Sequence, residues 1–347
     1  MSHSYRAISW NRQKRHYDLV LWCLILLYLV LFIVLHFKFF PEATIEIVLI
    51  RATGTLAALL LHLILSIGPL ARIDTRFLIL LYNRRHMGVS LFIIALFHGL
   101  LNLVQFHALG NTNPLRSLFT SNTHYGSFIH FPFQVLGFFA LLILMVMAAT
   151  SHDFWLKNLT PSIWKSLHML VYLAYALVVM HVMLGVVELE HHRNMLLLIL
   201  FGMFWLIGIH MYSGFGEWKK DKLLQSLTAD GYLAACHTEE IMENRAKIFT
   251  ANGERIAVFK YDGKLSAISN VCRHQMGPLG EGRIIDGCVT CPWHGYQYKP
   301  EDGCSPPPFK EKVTTYRLKV VDGYIYINPE AHPPGTRVEP VLFENRQ

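Results

Sequence analysis

Charge is scarce in this sequence: Asp, Glu, Lys and Arg make up 16 % of its 347 residues, against 53 % hydrophobic residues and a mean hydropathy of +0.33. Soluble domains carry about 25 % charged residues, so a chain that is soluble throughout is excluded. The shortage is uneven, because long apolar runs fill 17–213 whereas 214–347 reads as soluble. Cysteine is also sparse, with six residues and no framework spacing. That excludes a disulfide-stapled scaffold and fits a reducing compartment for the C-terminal part. No G-x-G-x-x-G fingerprint occurs and no stretch has room for a Rossmann unit, which excludes a dinucleotide-binding domain. The first apolar run is too long for a cleavable signal peptide and lacks a small-residue cleavage site. No internal repeat is evident. The net charge of +7 comes from basic clusters beside apolar runs, so it reads as membrane topology and not as a nucleic-acid surface.

What is present begins with six apolar segments long enough to cross a bilayer core, at about 18–40, 45–70, 87–108, 128–150, 163–187 and 194–213. A six-span helical membrane bundle is therefore expected over 17–213, behind an N-terminal stretch at 1–16 that carries Arg6, Arg12, Lys14 and Arg15. The 71–86 link (Arg72, Arg76, Arg84, Arg85), the 151–165 link (Lys157, Lys165) and Lys219, Lys220 and Lys222 are also basic. The alternate links hold only Lys38, Arg116 and Arg193. The positive-inside rule then places both termini in the cytoplasm.

After a linker at 214–230, alternating apolar and polar runs are broken by Asn252-Gly253, Asp262-Gly263 and Asp322-Gly323. These are hairpin signals, so a small antiparallel all-β domain is expected over 231–330, followed by a Pro- and charge-rich tail at 331–347.

Within that domain, Val271–Gly295 contains Cys272-x-His274 and, after sixteen residues, Cys291-x-x-His294. Two thiolates on one iron and two neutral imidazoles on the other are the Rieske arrangement of a 2Fe–2S cluster. Gly277, Pro278, Pro292 and Gly295 suit backbone that wraps closely around inorganic sulfur. A zinc site is the alternative, opened by Cys288-x-x-Cys291, although C-x-H paired with C-x-x-H is uncommon zinc spacing. CRHQMGPLGEG followed by CPWHGYQY resembles the Rieske ferredoxin and oxygenase-ferredoxin family, over about 231–328. The resemblance implies a cluster on those four residues, Cys288 as a strand residue, and Pro306–Pro308 as a rigid loop over the cluster. Rieske subunits of quinol-oxidising complexes add a disulfide-forming cysteine to each ligand loop, and the matching places here hold Gly277 and Trp293. That implies the lower-potential subtype, towards the low end of about −150 to +300 mV.

Four histidines, His62, His98, His168 and His181, lie well inside expected spans, away from their ends. Ionisable groups at bilayer depth mark function by default. Any one alone could be a packing residue that donates to a neighbouring carbonyl, but four together favour haem, for which imidazole is a standard axial ligand. At about 1.5 Å per residue, His168 and His181 differ by about 20 Å along span five, which suits two haems at different depths. Depth pairs His98 with His181, and leaves His168 with His62 or His86. Thirteen residues also put His168 and His181 about 140° apart on an ideal helix, so either the helix distorts locally or the two haem rings approach it from different sides. The loop residues His124, His130, His191 and His192 read as solvated, and Tyr172 and Tyr175 as packing. RRHMGVSLFIIALFHG, the 150–182 stretch and TG-x-L…GPLAR (53–72) resemble the ferric-reductase-type membrane domain over about 45–190, and in particular the haem-binding membrane subunit of methionine-sulfoxide reductase systems. The resemblance carries haem ligation onto His98, His168 and His181; His62 rests on depth alone.

The expected function is transmembrane electron transfer. A cytoplasmic reductase or ferredoxin would donate to the cluster, and one or two b haems would lead to an acceptor on the far side or in the membrane. Ferric iron, oxygen, quinone and a periplasmic reductase all fit as acceptors. His274 and His294 titrate in a range that suits coupling to protons. The alternative is a non-catalytic, membrane-anchored Rieske ferredoxin subunit of a larger complex. A terminal oxygenase would need a 2-His-1-carboxylate iron domain, for which 331–347 leaves no space. The expected location is a bacterial inner membrane, in contact with lipid and with no nucleic acid, the Rieske domain facing the cytoplasm.

Overall fold

The computed structural model describes residues 12–127, 130–152, 155, 159, 161–187, 193–222, 231–293 and 295–343. Its membrane part consists of α1 (Arg12–Phe39), α2 (Ile45–Ile73), α3 (Leu78–His107), a short α4 (Pro114–Thr120), α5 (Phe133–Thr150), α6 (Pro161–Met169), α7 (Val171–Val182) and α8 (Arg193–Lys222). Taken with α6 and α7 as one span, six helices are long and apolar enough to cross a membrane.

The hub is α2, with 44 % of its apolar window buried against 11–22 % for the other spans. Leu56, Leu60, Leu61 and Leu65 recur at helical spacing and meet Leu21 and Ile25 of α1, Leu91 and Ile94 of α3, Leu144 of α5, Ala174 of α7 and Leu206 of α8. The outward faces stay apolar as well, for example Leu19, Phe201 and Met211. Helices that are hydrophobic all round belong in lipid.

The α4 helix was not expected. Asn113 caps it by accepting from the N–H groups of Leu115 and Arg116, with Pro114 in the first turn. Buried His107 ties it down through Ser117 Oγ at 2.9 Å and Gln134 Oε1 at 3.1 Å.

Span five is distorted, one of the two arrangements expected for it. A turn at Leu170 separates α6 from α7, with the Leu170 N–H bonding Leu167 O instead of continuing the i−4 ladder. A π turn, Met183–Val187, closes the span just beyond His181. Such π turns are frequent at functional sites.

The C-terminal domain is antiparallel β. The strands β1 (Leu233–His237), β10 (Tyr324–Ile327) and β9 (Leu318–Val321) form one sheet in the order β1-β10-β9. A second sheet runs β11-β4-β3-β2, built from Val341–Leu342, Lys264–Ser269, Glu254–Tyr261 and Arg245–Ala251, with β8 (Thr315–Tyr316) also on β4. A small third sheet holds β5 (Arg283–Ile285), β6 (Cys288–Thr290) and β7 (Gln297–Tyr298). The three Asn-Gly and Asp-Gly hairpins form as expected, with φ positive at both residues of each pair, and Asp286-Gly287 makes a fourth between β5 and β6.

Two expected boundaries move. The sixth helix runs on to Lys222, so 214–222 is helix and not linker. The stretch expected as a tail is part of the domain: β11 pairs with β4, the Val338 N–H reaches Glu301 O, and His332 bridges Thr315. Its prolines hid a strand because each one breaks the local alternation while leaving edge pairing intact.

Candidate metal centres

The two cluster loops are built by short-range backbone bonds. In the first, the Met276 N–H returns to Cys272 O at 2.7 Å and the Cys272 N–H to Gly277 O at 2.9 Å, with Met276 at φ 55°. In the second, the Gly295 N–H bonds Cys291 O and the Cys291 N–H bonds Tyr296 O, at 2.9 and 2.8 Å. The third sheet holds the second loop between β6 and β7, and Cys288 opens β6 as a strand residue.

The loops face each other. A Cβ on Gly277 would lie 2.8 Å from Cys291 Sγ and 3.2 Å from the Trp293 ring. Gly277 and Trp293, the two positions singled out for lacking cysteine, are therefore in contact. Cys272 and Cys291 are fully buried and His274 is 8 % exposed. The Tyr298 hydroxyl lies 3.4 Å from Cys272 Sγ, and the His274 ring stacks on Tyr296 with centres 4.4 Å apart. Tyr296 in turn bonds Glu311 and packs on Phe309, just after the Pro306–Pro308 stretch. Burial, and then the charge of Cys272, hold the Tyr298 hydroxyl well above the usual phenol range.

These residues fit a cluster. Both thiols are enclosed in one buried cluster, a Cβ on Gly277 would fill the space beside Cys291 Sγ, and the buried Gln275 amide has no hydrogen-bond partner among the described residues. His294 lies outside the described residues.

In the bundle, the structure brings His98 of α3 and His181 of α7 together, with ring centres 6.3 Å apart. Two imidazoles sharing one metal through bonds of about 2 Å have ring centres about 6 Å apart. Each Nδ1 is occupied by a distant carbonyl, Ile50 O at 3.0 Å for His98 and Phe133 O at 2.8 Å for His181. That leaves Nε2 as the ligating nitrogen, the usual orientation device for metal-bound histidine. The Asn102 amide, which donates to His98 O at 2.8 Å, also lies 3.4 Å from His98 Nε2.

Each ring is backed by a glycine that sequence reasoning passed over. A Cβ on Gly54 of α2 would sit 2.8 Å from His98 Cε1, and one on Gly137 of α5 would sit 2.9 Å from His181 Cε1. Glycine inside a helix costs about 1 kcal/mol relative to Ala, so Gly54 of the TG-x-L motif and Gly137 in an unbroken apolar run were the available signals. The pair fits a bis-imidazole haem: ring centres 6.3 Å apart, Nδ1 of each ring taken by a carbonyl, and cradles that admit no side chain.

The other two histidines are not brought to a second imidazole. His62 Nδ1 bonds Ala58 O at 2.8 Å, and its Nε2 takes the Tyr175 hydroxyl at 3.1 Å. Gly202 of α8 packs against that same ring. His168 stacks on Trp164 with centres 3.8 Å apart, bonds Trp164 O through Nδ1, and places Nε2 3.3 Å from Ser151 Oγ. His86 pairs with Asp18 at 2.8 Å. The expected inner pair of His168 with His62 or His86 is therefore absent among the described residues. Depth along a helix says nothing about the direction a side chain takes around it.

Comparison with known proteins agrees with both halves. Residues 53–179 match the family model described as ferric reductase like transmembrane component, and residues 231–317 match the Rieske 2Fe-2S domain. The anthranilate 1,2-dioxygenase ferredoxin subunit of Burkholderia cepacia is 33 % identical over 26 % of this chain and 84 % of its own length. Cholesterol 7-desaturase nvd 1 of Ciona intestinalis is 32 % identical over 25 % of this chain, which spans only 19 % of that protein. A solved complex of reduced oxygenase and oxidized ferredoxin in carbazole 1,9a-dioxygenase aligns at 20 % identity and TM-score 0.28, covering 30 % of this chain and 97 % of the matched one. The chain is thus an integral membrane protein with a ferric reductase-like transmembrane domain, and through residues 231–317 it belongs to the Rieske 2Fe-2S family.

Proposed function

We propose that this protein passes single electrons across a membrane, between a Rieske cluster in its C-terminal domain and a b haem held by His98 and His181. The observation that carries the reading is the His98–His181 pair, 6.3 Å apart and fixed through Ile50 O and Phe133 O. When bound, cluster and haem would each supply a one-electron couple. The residues do the rest: Cys272 and Cys291 would offer thiolates from buried positions, and His274 and His294 would offer imidazoles. Gly54 and Gly137 leave the imidazoles of the bundle room to face each other.

The basic links favour a cytoplasmic Rieske domain, as in a bacterial inner membrane. A reductase or ferredoxin would then be the donor, and the acceptor would lie on the far side or in the membrane. The geometry supports one haem per chain, because among the described residues His98–His181 is the one imidazole pair within the spans; His124 and His130, also 6.3 Å apart, lie in the loop between α4 and α5.

A pyridine haemochrome assay on the purified full chain, with Rieske EPR in parallel, tests this reading. One haem b per chain beside the Rieske signal is the expected result. A Rieske signal with no haem would replace the reading with a membrane-anchored ferredoxin.

A further inference from the structure

Trp293 occupies the ligand loop beside His294, yet its ring does not stay within its own domain. It packs against the Rieske core and against the buried cluster of the bundle at once. On the bundle side the Arg84 guanidinium lies 5.5 Å from the ring centre, a cation–π contact. On the Rieske side Gly277 gives the ring a surface without a side chain.

Two ion pairs flank this anchor. Arg72, at the end of α2, bonds Glu281 at 3.0 Å, in the turn that follows the first ligand loop. Glu217 of α8 bonds Arg255 of β3 at 2.9 Å. The two pairs have opposite polarity: the bundle contributes the cation in one and the anion in the other. A domain turned half round would set Arg72 against Arg255 and Glu217 against Glu281. Like charges brought together in this way suppress wrong orientations. An aromatic anchor ringed by polar pairs is also the usual anatomy of an interface hot spot.

The seat also adjoins His168 of α6. Arg85, next to the residue that covers Trp293, donates to Ser151 O, and Ser151 Oγ meets His168 Nε2 at 3.3 Å. His168 thus stands where the bundle receives the ligand loop, which gives it a place without a second imidazole.

We propose that Trp293 is a positioning residue which, with Arg84 and the two oppositely poled ion pairs, seats the cluster-binding tip of the Rieske domain on the bundle in one orientation. The purpose of the seat rests on the electron-transfer reading, but its geometry does not. A partner that donates electrons would therefore approach a face of the domain other than the Trp293 tip.

The test uses the full chain carrying Arg72→Cys and Glu281→Cys, with a protease site inserted between residues 222 and 231. After mild oxidation and cleavage, a seated domain keeps the two fragments joined on a non-reducing gel in most molecules. Adding Trp293→Ala should lower that yield several-fold while the Rieske EPR signal persists, whereas Trp293→Phe should largely retain it. Arg255→Glu should also lower the yield, and Arg255→Glu with Glu217→Arg should restore it. No cross-link in protein with an intact Rieske signal would overturn the proposal, as would full cross-linking in Trp293→Ala. A cross-linked protein that contains haem but fails to reduce it from a reduced cluster would sustain the seat and overturn the electron-transfer reading.

Discussion

The two candidate centres are assembled in opposite ways. The Rieske loops take their ligands from one stretch of 25 residues, Val271–Gly295, and are held by backbone bonds spanning only a few residues. The candidate haem pair draws His98 from α3 and His181 from α7, each fixed by a carbonyl 48 residues away and each backed by a glycine on yet another helix. A centre closed by local turns survives changes elsewhere in the chain. A centre closed by helix packing depends on every helix that touches it.

Breaking each centre alone is the sharpest test of that contrast and has the largest expected effect. His98→Ala or His181→Ala should abolish haem in the pyridine haemochrome assay and leave the Rieske EPR signal intact. Cys291→Ser should do the reverse. Loss of both signals from either change would show that the centres are not separately built.

Next in size are the backing glycines. Gly54→Val or Gly137→Val puts a branched side chain where even a Cβ approaches an imidazole to within 2.9 Å. Haem occupancy should fall several-fold with cluster content unchanged. His62→Ala, in contrast, should leave haem content near the parent value, since His62 bonds Tyr175 and not a second imidazole.

A smaller effect tunes the local centre without dismantling it. Tyr298→Phe removes the hydroxyl 3.4 Å from Cys272 Sγ. Hydrogen bonds to cluster sulfurs help set the potential, and they favour the more negative reduced state. A net bond of about 0.5–1.5 kcal/mol corresponds to roughly 20–60 mV for one electron. A redox titration followed by EPR should show the midpoint lowered by that amount, with the haem midpoint unmoved.

The smallest expected effect is on pH stability. Burial, then the bond to Glu254, raises Tyr316 from the ordinary 10 to about 12. The folded domain thus favours the protonated phenol, and this stabilisation is whole below pH 10 and lost as pH rises from 10 to 12. The thermal midpoint for loss of the cluster's visible absorbance should be insensitive to this group up to pH 10 and fall above it. Tyr316→Phe should lessen that fall.

The reading of the chain was most complete where structure is local. Asn252-Gly253, Asp262-Gly263 and Asp322-Gly323 turned as their residue types require, because positive φ at two successive positions is a property of the dipeptide. The apolar lengths of the spans were equally legible, since bilayer thickness sets them. Helix periodicity left the break in span five as one of two arrangements, and its place at Leu170 was not legible. The β11 strand was missed because its pairing with β4 bridges more than 70 residues.

By itself, then, the amino-acid sequence determined the six spans, the β domain and the Cys-x-His and Cys-x-x-His loops. Each of these follows from neighbours within a turn, a strand or a bilayer's width. Only the tertiary structure decided that His98 meets His181, that His62 turns to Tyr175, that His168 stacks on Trp164, and that Trp293 rests beneath Arg84. Those outcomes depend on the rotation of each helix about its own axis and on how one domain sits on another. Side-chain packing between distant segments sets both, and no local pattern records it.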